Sequence, residues 1–195
     1  MEERKPKSKK EPRPPRKITP ERLNNIALHH LDRYASSAEN LRRVLGRRVY
    51  KAAIFHEDLD QAQAQGWIDE LVDRFVASGL LNDFAYAETR ARAMMSRGSS
   101  SRMIRMKLME KGIAPDTLDA ALQALTVDAP DPELFAAIKL ARRRRFGPWC
   151  DPAKREECQD KHMAAMARSG FSYDMAQRVI QAASPEELED LLTSG

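Results

Sequence analysis

The residues in this sequence whose types and spacing could do chemistry are basic, and they gather in three clusters. The clusters comprise Arg42, Arg43, Arg47 and Arg48; Arg97, Arg102, Arg105, Lys107 and Lys111; and Arg142, Arg143, Arg144 and Arg145. A guanidinium group pairs with phosphate or carboxylate through two parallel hydrogen bonds, a geometry that a lysine ammonium lacks. The clusters therefore predict a binding surface for an anionic partner. The alternative is that they are solvated helix faces.

The sequence offers little for catalysis or for cofactor binding. Neither of the phosphate-binding patterns G-x-x-x-x-G-K-[ST] and G-x-G-x-x-G occurs. His56 and Glu57 lack the second histidine of a zinc-binding helix, and Cys150, Cys158 and His162 have a Cys-x7-Cys-x3-His spacing that is not a standard zinc pattern. We expect free thiols, no metal, no cofactor and no enzymatic activity. Without a long apolar run or a signal-peptide core, the chain is expected to be cytoplasmic.

Charge is distributed unevenly along the chain. The 195 residues carry a formal net charge of +4, but residues 1–18 hold eight Lys or Arg against three Glu, a net charge of +5. The remaining residues therefore carry −1, so any nucleic-acid surface on them must come from segregated patches. Because residues 1–18 are rich in Pro and Lys and have no apolar periodicity, they predict a disordered basic arm.

Helices must position the basic clusters, because the sequence is patterned for helices and not for strands. Ala, Leu, Met, Arg, Glu and Gln are good helix formers, and no alternating run of β-branched residues occurs. Thr19 before Pro20 predicts one helix start, and a capping box from Ser36 to Glu39 predicts another. Apolar residues then recur at helical spacing, which predicts an all-α fold.

One stretch of the sequence recurs 58 positions later, which indicates an internal repeat. Residues 108–122 read LMEKGIAPDTLDAAL, and residues 166–180 read MARSGFSYDMAQRVI. In each stretch a glycine, Gly112 or Gly170, is placed to end a helix in the left-handed conformation. An apolar residue that packs back on the helix is expected next, followed by an aspartate in the first turn of another helix. A degenerate version occurs earlier, with Val49 in place of the glycine.

The repeat divides the chain into units of three helices. We predict tandem three-helix repeats, about nine helices in all, stacked in an elongated array because each unit is too short to bury a good core alone. The predicted divisions are the arm at 1–18, a first repeat with an insertion at 19–82, a second repeat at 83–127, a third repeat at 131–183 and a C-terminal tail at 184–195.

Four stretches give the chain a resemblance to a known family. They are YASSAENLRRVL in the first unit, GLLNDFAYAETRARAMMSRG at the entry to the second, RMIRMKLMEKGI with DTLDAAL within it, and ARSGFSYDMAQRVI in the third. In combination they resemble the RecX family, regulatory proteins that bind the RecA recombinase. The resemblance runs from about Pro20 to Ala183.

The resemblance implies a fold and a function. It implies three-helix repeats curved into an elongated arc that lies in the groove of the RecA filament on DNA. It also implies inhibition of strand exchange and of the coupled ATP hydrolysis, and with it modulation of DNA repair and of the SOS response. RecA is then the expected partner of the basic clusters, single- or double-stranded DNA is a second candidate, and the chain is expected to act as a monomer.

Two other functions stay open at the level of sequence. Three-helix units can resemble helix-turn-helix folds, so the chain could be a stand-alone DNA-binding module. It could also be a helical scaffold for an unrelated partner. Tight binding to DNA without a recombinase would favour the first alternative, and a lack of effect on both DNA and RecA would favour the second.

Overall fold

The computed structural model describes residues 15–127 and 131–193, and within them it contains ten α-helices, three short 3-10 turns and no β-strand. This confirms the all-α prediction, with one helix more than the nine expected. The helices are α1 (Pro20–Arg33), α2 (Ala38–Ala53), α3 (Gln61–Ala77), α4 (Asp83–Met95), α5 (Ser101–Met109), α6 (Pro115–Ala124), α7 (Pro132–Arg144), α8 (Arg155–Arg168), α9 (Tyr173–Ile180) and α10 (Pro185–Thr193). None of these helices is both long and apolar enough to cross a membrane.

The first nine helices form tandem repeats of three, as predicted. In the first repeat α1, α2 and α3 contact one another, and in the second α4, α5 and α6 do the same; in the third, α9 contacts both α7 and α8. The tenth helix packs on α7 and buries Leu188 completely, so much of the predicted C-terminal tail is helical. The unit boundaries at 19–82, 83–127 and 131–183 remain a proposal.

Buried apolar side chains form two separate clusters. One lies within the first repeat and includes Leu23, Leu41 and Ile68. The other runs through the second and third repeats and α10, and it includes Ile104 and Leu188. The first repeat therefore has a core of its own, whereas the second and third repeats share one.

The folded part of the chain begins before the predicted end of the arm. Ile18 is buried in the core of the first repeat. Nearby, Nε2 of His56 donates a hydrogen bond to the carbonyl oxygen of Pro15 at 2.8 Å. Residues 15–18 are thus held against the first repeat, and the division of the arm at residue 18 remains a prediction. Residues 1–14 lie outside the described residues.

The start of α2 lies one residue later than the predicted capping box. The N-cap is Ser37 and not Ser36, because the Ser37 hydroxyl accepts a hydrogen bond from the backbone N–H of Asn40 at 3.2 Å. The helix then continues to Ala53, past Val49, which is buried. Without a glycine at that position the chain has no left-handed stop there.

The same hydrogen bond joins each repeat to the next. The hydroxyl of Ser37 donates to the carbonyl oxygen of Lys111 at 2.5 Å. The hydroxyl of Ser100 donates to the carbonyl oxygen of Ser169 at 2.7 Å. In both cases the donor is the N-cap of the second helix of one repeat, and the acceptor lies just before the glycine that ends the second helix of the following repeat. Both serines are completely buried.

Each of these junctions contains a second bond of a common kind. The backbone N–H that follows the N-cap serine donates to an acidic side chain of the first helix of the next repeat. The two bonds run from Ala38 to Asp83 and from Ser101 to Glu133, both at 2.9 Å. A negative charge at a helix N-terminus is stabilised by the unpaired N–H groups there. The repeats are therefore docked through the N-termini of their second helices.

The predicted glycine stops are confirmed, and they lie at these junctions. Gly112 and Gly170 have φ angles of 79° and 88°, in the left-handed region. The residues after them, Ile113 and Phe171, are buried. A Cβ added to Gly170 would lie 2.5 Å from Oγ of Ser100, which cannot move away without losing its bond across the junction. The glycine is therefore required by both backbone conformation and space.

Replacing Gly170 by Ala is expected to lower the free energy of unfolding by about 2–4 kcal/mol, because it combines a left-handed alanine with a clash in a packed junction. Gly46 provides the matched control, since it lies within α2 with nothing within 4 Å of an added Cβ. Gly46→Ala should instead stabilise the protein by about 0.5–1 kcal/mol through helix propensity. Urea unfolding measures both changes, and equal effects would contradict the role given to the junction.

Candidate functional site

The three basic clusters lie on helices of all three repeats. The first cluster is on α2, the second is on the turn after α4 and on α5, and the third is at the C-terminal end of α7. Of the thirteen predicted residues, all are exposed except Arg42, which is half-buried. Exposure alone does not make a charge available to a partner, because some of these side chains are engaged within the fold.

Arg43 pairs with Glu39 of its own helix, and two other arginines form ion pairs that join the second helix of their repeat to the third. Arg42 of α2 pairs with Asp69 and Asp73 of α3, with Nε–Oδ1 and Nη2–Oδ1 distances of 3.2 and 2.6 Å. Arg105 of α5 pairs with Asp119 of α6. Both arginines stand five residues after the N-cap serine of their helix. We call this ion pair the clamp, because it fastens the second helix to the third in two repeats. The two predicted charges that form it are not available to a partner.

Two further arginines bridge neighbouring repeats. Nη1 of Arg43 donates to the carbonyl oxygen of Glu110 at 2.6 Å, which links α2 to the end of α5. Nη1 of Arg143 donates to the carbonyl oxygen of Arg97, also at 2.6 Å, which links α7 to the turn after α4. Carbonyl groups at helix ends lack intrahelical partners, so a guanidinium is a favourable donor for them. These two arginines serve the array itself.

The remaining predicted residues keep their charges available, and we call them the open basic surface. Apart from a 3.7 Å pair between Arg142 and Glu189, none of their side chains forms an ion pair or hydrogen bond in the described part of the chain. That pair joins two largely exposed side chains, so it contributes little to stability. The open basic surface consists of Arg47, Arg48, Arg97, Arg102, Lys107, Lys111, Arg142, Arg144 and Arg145.

The fold brings parts of different clusters together. Arg97, Arg142 and Arg143 line one shallow groove between the second and third repeats, with Lys139 beside them. The first and second clusters approach each other where Arg43 bonds the end of α5. The alignment of all three clusters along one side of the array stays a prediction.

The first repeat contains a basic cleft that was not predicted from the sequence. It has a volume of about 1210 Å³, it lies between α1, α2 and residues 15–18, and Glu21 is the acidic residue that lines it. Its basic lining consists of Arg16, Lys17, Arg22, Arg33, Arg48 and Lys51. A signal was present, because positions 22, 26, 29 and 33 form one stripe of α1 and two of them are arginine. Through Arg48 the cleft is continuous with the open basic surface.

His30 also lines this cleft, and its electrostatic environment is distinctive. Its Nε2 atom is buried and has no hydrogen-bond partner in the described residues. Burial lowers the pKa of His30, and the positive charge of Arg47 lowers it further. The imidazole is therefore neutral at neutral pH. A phosphate or carboxylate that enters the cleft would supply both a hydrogen-bond partner and a compensating charge.

Comparison with known proteins shows which family this chain resembles in sequence. A sequence model described as RecX, second three-helix domain, matches residues 82–122, which run from the N-cap of α4 into α6. The regulatory protein RecX of Myxococcus xanthus strain DK1622 is 39% identical over 180 residues, 91% of this chain and 95% of its own length. The regulatory protein RecX of Agrobacterium fabrum is 34% identical over 169 residues, 87% and 86% of the two chains.

Solved structures give the same result. The crystal structure of RecX from Lactobacillus salivarius has a TM-score of 0.58 and 25% identity, and the match covers 84% of this chain and 96% of that one. A further crystal structure of regulatory protein RecX has a TM-score of 0.60 at 21% identity and covers 84% and 72%. The second of these supports the fold alone.

Replacing Arg42 by Gln is expected to lower the free energy of unfolding by about 1 kcal/mol, because it leaves Asp69 and Asp73 without their partner at a half-buried position. Arg47 on the same helix is the matched control, and Arg47→Gln should stay within about 0.5 kcal/mol of the wild type. Urea unfolding separates the two cases. A loss in Arg47→Gln as large as that in Arg42→Gln would contradict the division between clamp and open basic surface.

The histidine in the cleft predicts a pH dependence of stability. Because the pKa of His30 is lowered by folding, its contribution is fully present above the unfolded value near 6.5 and is lost as the pH falls below it. His30→Gln should therefore lose less stability than the wild type between about pH 7 and pH 5. Asn25→Gln, an exposed and non-titrating position of the same helix, is the control and should follow the wild type. Parallel pH profiles for all three proteins would contradict this assignment.

Proposed function

The chain belongs to the RecX family, and on this basis we propose that it binds the RecA filament on DNA and lowers its recombinase and ATPase activities. Its role is then regulatory and not catalytic, in keeping with the names of its relatives. The proposal takes the monomer as the active species and the cytoplasm as its compartment. Its consequence for the cell is modulation of DNA repair and of the SOS response.

The observation that carries the proposal is the open basic surface, which extends over all three repeats. A nucleoprotein filament exposes DNA phosphates and acidic protein side chains at regular intervals, and unpaired arginines suit both. Each exposed contact of this kind contributes little alone, but contacts made by linked repeats add up. A rigid array with a few charges on each repeat is therefore suited to a long, periodic and anionic partner.

A mechanism follows from the way in which the repeats are joined. The buried serine bonds hold the second helices at a fixed register, so the array can contact neighbouring RecA protomers at once. Bound in the groove, it would occupy the path of an incoming DNA and hinder the subunit motions that accompany ATP turnover. Both effects lower activity without any chemical step by this chain.

Direct DNA binding without RecA is the alternative function. The basic cleft around His30 supports it, because six Lys or Arg side chains and a single acidic one, Glu21, are among the described residues that line it. The net charge of −1 on residues 19–195 argues against it, since high affinity for naked DNA usually needs a strongly basic domain. Assays of RecA activity and of DNA binding without RecA separate these two functions.

Replacing both Arg102 and Lys107 by Gln removes two open charges from α5 and leaves the Arg105 clamp intact. We expect this variant to need about 5- to 10-fold more protein for half-inhibition of RecA's DNA-dependent ATPase, from about 0.5–0.7 kcal/mol per lost contact. The matched control, which we call the α8 control, is Lys154→Gln with Arg168→Gln; it removes two exposed charges, at the N-cap and in the last turn of α8, outside the three clusters.

Three outcomes are distinguishable in this experiment. Unchanged ATPase and strand exchange at stoichiometric excess of the wild-type chain would sink the proposal. Equal weakening by the α8 control would reduce the effect to total charge. Tight binding to single- or double-stranded DNA alone, with no change in RecA activity, would favour the DNA-binding module instead.

A further inference from the structure

We propose that Cys150, Cys158 and His162 form a binding site for a thiolate-preferring divalent metal ion of the Zn²⁺ type in the third repeat. Their ligand atoms, two sulfurs and one imidazole nitrogen, all lie within 4.8 Å of one another. All three side chains are half-buried, so the site is shielded by the fold and still open to an ion from solvent. This replaces the expectation of no metal that the spacing alone suggested.

Two separate elements bring these ligands together. Cys158 and His162 are four residues apart in α8, so they share one face of that helix. Cys150 comes from the turn between α7 and α8, where its backbone N–H donates to the carbonyl oxygen of Gly147 at 3.0 Å and fixes the turn. The chain doubles back between residues 150 and 155 through a second short 3-10 turn, and this return places the thiol beside α8.

The histidine is held in place by its surroundings. Its ring stacks on Phe146, with ring centroids 4.6 Å apart and an interplanar angle of 30°. The backbone N–H of Gly147 lies 3.4 Å from its Nδ1, which is long for a hydrogen bond, so a metal ion can displace this contact. The ring is thus oriented by an apolar contact that leaves its nitrogens chemically available.

The donor set selects the class of ion. Two thiolates and one imidazole favour Zn²⁺ over the oxygen-preferring Mg²⁺ and Ca²⁺. Zinc–sulfur bonds of about 2.3 Å in a tetrahedron place two sulfurs roughly 3.8 Å apart, so small side-chain rotations suffice to close the site. Each coordinating thiol releases its proton to the buffer, and the two thiolates neutralise the ion's charge. The fourth position is left for a water molecule.

Bound metal would add a cross-link between the turn and α8, a helix that begins without a side-chain cap. The N-cap position of α8 is Lys154, and it makes no side-chain capping bond. The turn before this helix is held by local backbone bonds and by contacts of residues 147–149 with α7, α8 and α9. A metal bridge from Cys150 to α8 would tie the two together, so we expect the ion to stabilise the third repeat. This inference is independent of the proposed action on RecA.

Cobalt titration of the full-length protein, reduced and stripped of metal by a chelator, tests the site. We expect one Co²⁺ per chain, with thiolate-to-cobalt charge-transfer absorption and the strong visible bands of a tetrahedral ion, both removed by Zn²⁺. Cys150→Ser and Cys158→Ser should each abolish the charge-transfer signal or cut it by at least half, and His162→Gln should weaken affinity on the order of tenfold or more. His29→Gln is the matched histidine control and should bind as the wild type does.

A second measurement on the wild type keeps the test independent of how the variants fold. Zn²⁺ should slow alkylation of both cysteines and raise the melting temperature. Absence of charge-transfer absorption at stoichiometric Co²⁺, together with alkylation rates that Zn²⁺ leaves unchanged, would overturn the proposal. Protein handled without reductant could form a Cys150–Cys158 disulfide and take up no metal. In that case the reduced protein decides the test, and its failure to bind would overturn the proposal.

Discussion

The structure depends on two buried serine hydroxyls that make the same pair of hydrogen bonds, one at each junction between repeats. In both junctions the N-cap serine, Ser37 or Ser100, accepts from the backbone N–H three residues on and donates to a carbonyl of the next repeat. Each hydroxyl is thereby satisfied on both sides. A buried hydroxyl left without a partner costs about 1–3 kcal/mol, so burying the serine in the junction requires a carbonyl of the next repeat to be aligned with it. The cap of the second helix and the register of the array are thus coupled through one side chain.

This coupling determines which charges remain for a partner. The arginine five residues after each serine is turned toward the third helix of its own repeat, where Arg42 and Arg105 meet aspartates. Residues such as Arg47, Arg102 and Lys107 are then left on the outer faces of α2 and α5 without acidic partners in the described chain. The division between clamp and open charge follows from helix geometry, and it recurs because the junction recurs. A surface of this kind is repetitive by construction, as is a nucleoprotein filament.

Local signals in the sequence were sufficient for the features that depend on one helix and its ends. The stop glycines, the helix start after Thr19 and the three-helix periodicity were all predicted, because caps and turns are encoded within a few residues. The ion pair of Arg42, the lining of the cleft and the approach of Cys150 to α8 were not, because each joins elements that only the fold brings together. The packing of the predicted tail was not predicted for the same reason, because Leu188 is buried only where α10 packs on α7.

The central claim is that all three repeats engage the filament through the open basic surface. Hydrogen–deuterium exchange of the chain, free and bound to RecA on single-stranded DNA, tests it most directly because it reports on each helix separately. The account predicts slower exchange in α2, in α5 and at the end of α7 when the RecA filament is added, and little change with the same DNA alone. Protection confined to one repeat, or equal protection by DNA without RecA, would contradict it.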